Sequence, residues 1–160
     1  MKASKHDEDF FSWSQEQAAL LRGMPETIDL LDTENLADEI EGLGLAEING
    51  ISSLLYRVLT GLLKTVVVPD SEGDRRRQYE DIIANQAEAV IKIPPGLLRH
   101  LDLPKIWKVA ANGVSRSQKR AGIAVPALPE VCPLTLDELL DPEFDLDDAV
   151  KKLSAAISSG

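Results

Sequence analysis

This 160-residue chain has one cysteine, two histidines, three phenylalanines, two tryptophans and two tyrosines. A single thiol, Cys132, excludes an internal disulfide framework and any cysteine-cluster zinc site. The histidines, His6 and His100, are preceded three residues earlier by Ala3 and Leu97. The Glu-x-x-His pair of dimetal helix bundles is therefore missing. No serine stands in a Gly-x-Ser-x-Gly turn, and no glycine-rich phosphate loop occurs. The N-terminal residues KHDEDFFSW lack a basic stretch followed by an apolar run, so no secretory leader is read there and a reducing cytoplasm is expected. Internal repeats and low-complexity segments are also absent. With aromatics at 4%, a core must be built from Leu, Ile, Val and Ala.

What is present fits a globular helical protein. Hydrophobic residues make up 44% and charged residues 28%. The length suits one domain, taken as residues 7–160 after a flexible 1–6, burying roughly 70% of its unfolded surface. Charge is uneven. Residues 1–50 hold 12 acids and 3 bases, residues 51–120 hold 7 acids and 12 bases, and residues 121–160 hold 8 acids and 2 bases. The basic middle, with Arg75-Arg76-Arg77 and the run Arg116 to Arg120, raises nucleic-acid association as one alternative. The net charge of −10 and the scarcity of interleaved aromatics favour solvated helix faces instead. The apolar stretch Ile48 to Val68 is long enough to span a bilayer. Ser53, Arg57, Thr60, Gly61 and Lys64 form one polar stripe along it, which marks an amphipathic core helix rather than a lipid span.

Periodicity places the elements. Phe10, Trp13, Gln17, Leu20 and Leu21 share a helical face, with Asp7 or Asp9 as cap and Gly23-Met24-Pro25 as stop. After Asp32 or Thr33, the residues Leu36, Ile40, Leu43, Ile51, Leu54, Val58 and Leu62 fall on one face, predicting a helix of more than thirty residues toward Pro69. Gly42, Gly44 and Gly50 each cost about 1 kcal/mol relative to Ala within a helix, so a kink or break is expected between Gly42 and Gly50. A third helix starts at Ser71–Asp74 and buries Tyr79, Ile82, Ile83, Gln86, Val90 and Ile91, stopping at Pro94-Pro95. A short turn spans Gly96–Leu101. Pro104 opens a fourth helix with Ile106, Trp107, Ala110 and Val114 inward. Ile123–Pro133 holds three prolines and reads as an extended strap packing through Val125, Leu128, Val131 and Cys132. Thr135 and Glu138 form a capping box, and Asp145 caps a last helix. The predicted fold is all-α: a four-helix-like bundle with one long helix, short extra helices and a Pro-rich strap.

Asp9-Phe10-Phe11-Ser12-Trp13 with Gln17, Leu20-Leu21-Arg22, Asn35 to Gly44 (NLADEIEGLG), Leu62-Leu63-Lys64, Pro129, Cys132-Pro133, Thr135-Leu136 and Leu139-Leu140-Asp141 occur in an order that resembles a family of bacterial proteins, domain of unknown function number twenty-nine. The resemblance covers about Asp9 to Phe144 and implies a helical domain without implying an activity. Gly61 stands where the resemblance expects a histidine, and Thr65 and Leu134 stand where it expects tryptophans.

The carboxylates of NLADEIEGLG invite a metal reading. Glu34, Asp38 and Glu41 lie opposite the Leu36/Ile40/Leu43 stripe, however, and so are expected in solvent. No metal, cofactor or catalytic set is assigned. Glu39 lies on the flank of the stripe toward Arg57 and Lys64. Glu47 lies within the stripe, where a carboxylate must be paired, protonated or placed at a break or bundle end. Asp9, Trp13 and Gln17, at i, i+4 and i+8, offer either a cap and packing face or one wall of a groove with the Asp38–Glu41 segment. Cys132 reads as a structural thiol. The leading functional expectation is a non-enzymatic interaction or adaptor domain, binding a protein partner or a second copy through an apolar face of the long helix. A hydrolase or metal-dependent enzyme using Asp38–Glu41 with Arg57 or Lys64 is the alternative.

Overall fold

The computed structural model describes residues 4–24, 31–68, 72–94 and 96–158. Pro25, Pro69, Ser71 and Pro95, read above as helix punctuation, and residues 1–3 of the expected flexible lead lie outside them. The described residues are all-helical, with no strand: α1 (Lys5–Glu8), α2 (Phe10–Arg22), α3 (Thr33–Val67), α4 (Glu72–Lys92), a 3-10 turn (Leu97–His100), α5 (Leu103–Arg120), α6 (Leu136–Leu139) and α7 (Leu146–Ser158). Lys5 and His6, assigned to the flexible lead, form part of α1.

Helix α3 runs 35 residues without interruption, so the expected break between Gly42 and Gly50 does not occur. Helix termini carry the predicted chemistry. Asp9 accepts from the Ser12 N–H at 3.1 Å, and Thr135 and Glu138 form the reciprocal box. Asp145 accepts from the Asp148 N–H at 3.0 Å, and Pro104 sits in the first turn of α5.

The chain forms two compact units. The first contains residues 1–51 and 93–101, the second residues 52–92 and 102–160. In the first unit, α2 buries Ser14 and Ala18, and α3 buries Ala37, Gly44 and Ile51. A Cβ on Gly44 would overlap the Ser14 hydroxyl and lie 3.2 Å from Ser14 Cβ and 3.3 Å from Phe11 Cδ2. The two helices therefore meet through small residues. This corrects the predicted packing faces of α2 and of the N-terminal part of α3, whereas Ile51, Leu54, Val58 and Leu62 of the predicted α3 stripe are buried as expected. Leu20, Leu36 and Leu43 are exposed, by 62%, 40% and 57%. Along α2 and the start of α3 four buried positions directly follow predicted ones: Ser14 after Trp13, Ala18 after Gln17, Ala37 after Leu36, Gly44 after Leu43. One residue is about 100° of rotation at 3.6 residues per turn. Periodicity located a stripe of large side chains, whereas close approach of the backbones selected the small residues beside it.

The second unit holds the larger apolar core. Leu54, Leu55, Val58, Leu59, Leu62 and Leu63 of α3 are buried, as are Ile82 and Ala89 of α4. From α5 come Ile106, Trp107, Ala110 and Val114, and from α7 Leu146, Ala149 and Leu153. By length and composition α3 could cross a membrane, yet these apolar side chains are covered within the protein. Ile83 and Ile91, predicted inside, are 51% and 83% exposed. The Gln86 side chain, predicted inside, is buried and donates to the carbonyls of Leu139 at 3.1 Å and Asp141 at 2.8 Å, tying α4 to the end of α6. The segment from Ile123 to Pro129 has no regular structure. It is held where the buried Trp107 indole donates to the Pro129 carbonyl at 2.9 Å. Val125, Leu128 and Cys132 of this strap are half-buried, but Val131 faces solvent. Leu134, at a predicted tryptophan position, is buried.

Candidate functional site

The signature segment DFFSW folds into a clasp at the start of α2. Asp9 is 3% exposed and caps α2 through Ser12 N. Its carboxylate also pairs with Arg99 and lies 3.3 Å from His100 Nε2. Burial disfavours its charge, but hydrogen bonds from Ser12, Arg99 and His100 outweigh that and hold the carboxyl well below its usual range. Gly96 permits the approach of this turn. Its φ is +79°, and a Cβ there would sit 2.5 Å from the Glu8 carbonyl oxygen.

Asp9, Ser12 and His100 resemble a hydrolytic triad in composition only. Ser12 Oγ lies 3.3 Å from His100 Nε2, the same nitrogen that faces Asp9. In a triad the carboxylate orients one ring nitrogen while the other takes the serine proton. Here one nitrogen meets both partners, so the arrangement anchors a helix start and does not activate Ser12. His100 also packs against Phe11 with ring centroids 4.6 Å apart. Arg99 and His100 lie about ninety residues from Asp9 in sequence, where no local pattern announces the pairing.

The acidic segment is clamped. Arg22 of α2 reaches Asp38 at 2.7 Å and Glu41 at 2.6 Å, bridging the two walls of the groove expected between α2 and the Asp38–Glu41 segment. These carboxylates raise the guanidinium pKa. The enzyme alternative requires Glu39 or Glu41 in a concavity with a basic residue. Glu41 instead serves the clamp, and Glu39 is exposed. Among the described residues no group of three or more His, Cys, Asp or Glu is placed to hold a metal ion.

Glu47 does not sit at a break. The helix passes through it, and its Oε2 is buried without a hydrogen-bond partner among the described residues. Burial raises its pKa, against a smaller lowering by His6. His6 packs edge-on against Trp13 at 4.6 Å and Phe10 at 5.2 Å. Trp13 is half-buried in this small aromatic group, and Gln17 is half-buried further along α2.

Arg57 and Lys64 belong to a different place. In the second unit, the predicted polar stripe of α3 faces α4 across a groove of about 530 Å³. Arg57, Thr60, Gly61 and Lys64 line one wall, and Asp74, Arg77, Gln78, Asp81 and Asn85 line the other. The helices approach closely at Gly61, where a Cβ would lie 2.5 Å from Ile82 Cγ1. The glycine found at the expected histidine position thus accommodates Ile82. Gln78 donates to the Gly61 carbonyl at 2.9 Å and the Thr65 hydroxyl donates to it at 3.0 Å. Cys132 is half-buried, and burial pushes its thiol pKa up, which leaves it protonated and poorly nucleophilic at neutral pH.

The model of the family described as Domain of unknown function DUF29 matches residues 6–145. The chain belongs to the DUF29 family. This DUF29 chain is also similar to a crystal structure of an alpha-helical protein of unknown function from Rhodospirillum rubrum. The two share 28% identity with a TM-score of 0.78, over 95% of this chain and 99% of that one. No curated protein matches. The matched region spans the residues of the Asp9 clasp, the Arg22 clamp, the Ser14–Gly44 seam and the groove.

Proposed function

We propose that this DUF29 chain is a non-enzymatic interaction domain whose contact face is the Leu36/Leu43 stripe of α3. The observation that carries this reading is the exposure of both leucines, seven residues apart on one face with the half-buried Ile40 between them. Such i, i+4, i+7 anchors are what a helical partner grips. The apolar face of α3 from Ile48 to Val68 is largely covered internally, and the unsatisfied apolar surface lies in the N-terminal half of the helix instead. The carboxylates point the same way. Asp9 anchors a helix start, and Asp38 and Glu41 hold Arg22, which leaves them in structural roles.

Glu39 borders the exposed stripe, and residues 1–50 carry 12 acids against 3 bases. Two such faces brought together would repel, so a basic amphipathic helix from another protein fits better than a second copy. The test is affinity capture with wild type and with a Leu36→Glu/Leu43→Glu variant that keeps its far-ultraviolet circular dichroism. A helical protein recovered with wild type, and lost with the variant, supports the reading. Recovery of the same proteins by both forms refutes it. A wild type that light scattering shows as a dimer, dissociated by the double substitution, would reassign the face to self-association.

A further inference from the structure

The geometry points to a second binding site, independent of the α3 leucines: the groove between the C-terminal half of α3 and α4 takes a small ligand through a single phosphate group. Three cations line it, Arg57 and Lys64 from α3 and Arg77 from α4. Among the described residues none of the three is in an ion pair. By contrast, the neighbouring Arg76 pairs with Glu80 at 3.0 Å. Two long helices thus supply cations from opposite walls, with guanidinium forks suited to phosphate oxygens. The volume of about 530 Å³ lies within the range of small-molecule sites.

The remainder of the lining sets the class of ligand. Asp74 and Asp81 stand on the α4 wall, so the formal charge of the lining is one positive unit. That balance suits one phosphate group and disfavours a nucleic-acid backbone, whose binding scales with the number of phosphates neutralised. Tyr56, Gln78 and Asn85 add neutral hydrogen-bonding groups for the rest of a small molecule. Thr60 Oγ1, in the same wall, is buried without a hydrogen-bond partner among the described residues. An unmet buried hydroxyl is uncommon in folded proteins, and a water or a ligand oxygen in the groove would satisfy it. Gly61, the position where this chain departs from the histidine of the family resemblance, also lines the groove.

The experiment is a titration of the full chain, followed by amide chemical shifts, with inorganic phosphate and separately with glycerol phosphate, against sodium chloride at matched ionic strength. The site predicts saturable shifts clustered on residues 57–64 and 77–85 with phosphate, absent with chloride. Tighter binding of glycerol phosphate identifies a phosphate monoester as the ligand class, and equal binding identifies the free ion. Lys64→Gln and Arg77→Gln should each weaken binding roughly tenfold, the loss of one charge-assisted contact. Arg76→Gln, outside the groove, should leave it unchanged. Absent or non-saturable shifts overturn the proposal. So does weakening by Arg76→Gln equal to that by Lys64→Gln, which would mean diffuse charge attraction. Because the Leu36/Leu43 face shares no residue with the groove, failure here leaves the interaction reading intact, and the converse holds.

Discussion

Replacing Gly44 by alanine should destabilise the protein, while the same change at Gly42 or Gly50 should stabilise it. All three glycines lie inside α3, where alanine is favoured over glycine by about 1 kcal/mol. For Gly42 and Gly50 nothing lies within 4 Å of the added Cβ, so that gain is realised in full. At Gly44 the new methyl overlaps the Ser14 hydroxyl and presses on Ser14 Cβ and Phe11 Cδ2. Ser14 is fully buried and its hydroxyl donates to the Phe11 carbonyl at 2.8 Å. Overpacking of this kind costs about 1–3 kcal/mol. After the helical gain, the net loss is about 1 kcal/mol, and the contrast with Gly42→Ala is about 2 kcal/mol. Urea unfolding followed by circular dichroism at 222 nm measures it, provided the slopes agree. Hydrogen exchange of α2 amides localises the effect to this seam. Adding Ser14→Ala to Gly44→Ala removes the worst overlap and should restore about 1 kcal/mol as a coupling energy. A Gly44→Ala protein as stable as Gly42→Ala would refute the close helix approach at this point.

Three further outcomes follow from buried polar groups. Asp9→Asn should cost about 2 kcal/mol at pH 7, because it leaves Arg99 without its anion and weakens the cap. The Asp9 carboxyl titrates lower in the folded than in the unfolded protein. Its contribution is therefore full above the unfolded value, begins to fall below about pH 5, and declines as pH approaches the depressed folded value. The acid limb of a stability–pH curve should be shallower in the variant, and an unchanged limb would count against the clasp. Glu47 has the opposite sign. Its pKa is raised on folding, so its charge costs stability as pH rises through that value. Glu47→Gln should gain about 0.5–1 kcal/mol near pH 7, read by thermal unfolding, with no gain near pH 4. Gln86→Ala should cost about 2 kcal/mol by leaving two carbonyls unpaired, with faster amide exchange around α6 as its local signature.

Much of the architecture was legible because helix ends are written in local chemistry. Asp9, Thr135, Glu138 and Asp145 cap where periodicity placed caps, and Pro104 opens α5. The polar stripe Arg57, Thr60, Gly61 and Lys64 was visible as a break in an apolar wheel, and it became the wall of a groove. The C-terminal part of the α3 face, Ile51, Leu54, Val58 and Leu62, was legible, but the rotation of the seam between α2 and the start of α3 was not. Hydrophobicity scales weight Leu36 and Leu43 above Ala37 and Gly44, but the closest approach of two backbones needs the smaller pair. The continuity of α3 follows from the same fact, since Gly44 is required by a neighbour rather than by a bend. The Arg99 and His100 partners of Asp9 were hidden by sequence distance, as was the reach of Gln86 to α6.

The most direct measurement is thiol labelling of single-cysteine variants in a Cys132→Ala background, placed at Leu36, Ala37 and Leu43. With Leu36 and Leu43 outward and Ala37 fully buried, the cysteines at 36 and 43 should react at rates close to a free thiol. The cysteine at 37 should be protected by orders of magnitude. Protection at 36 and 43 with rapid labelling at 37 would return the leucine stripe to the core and remove the contact face on which the proposed function depends.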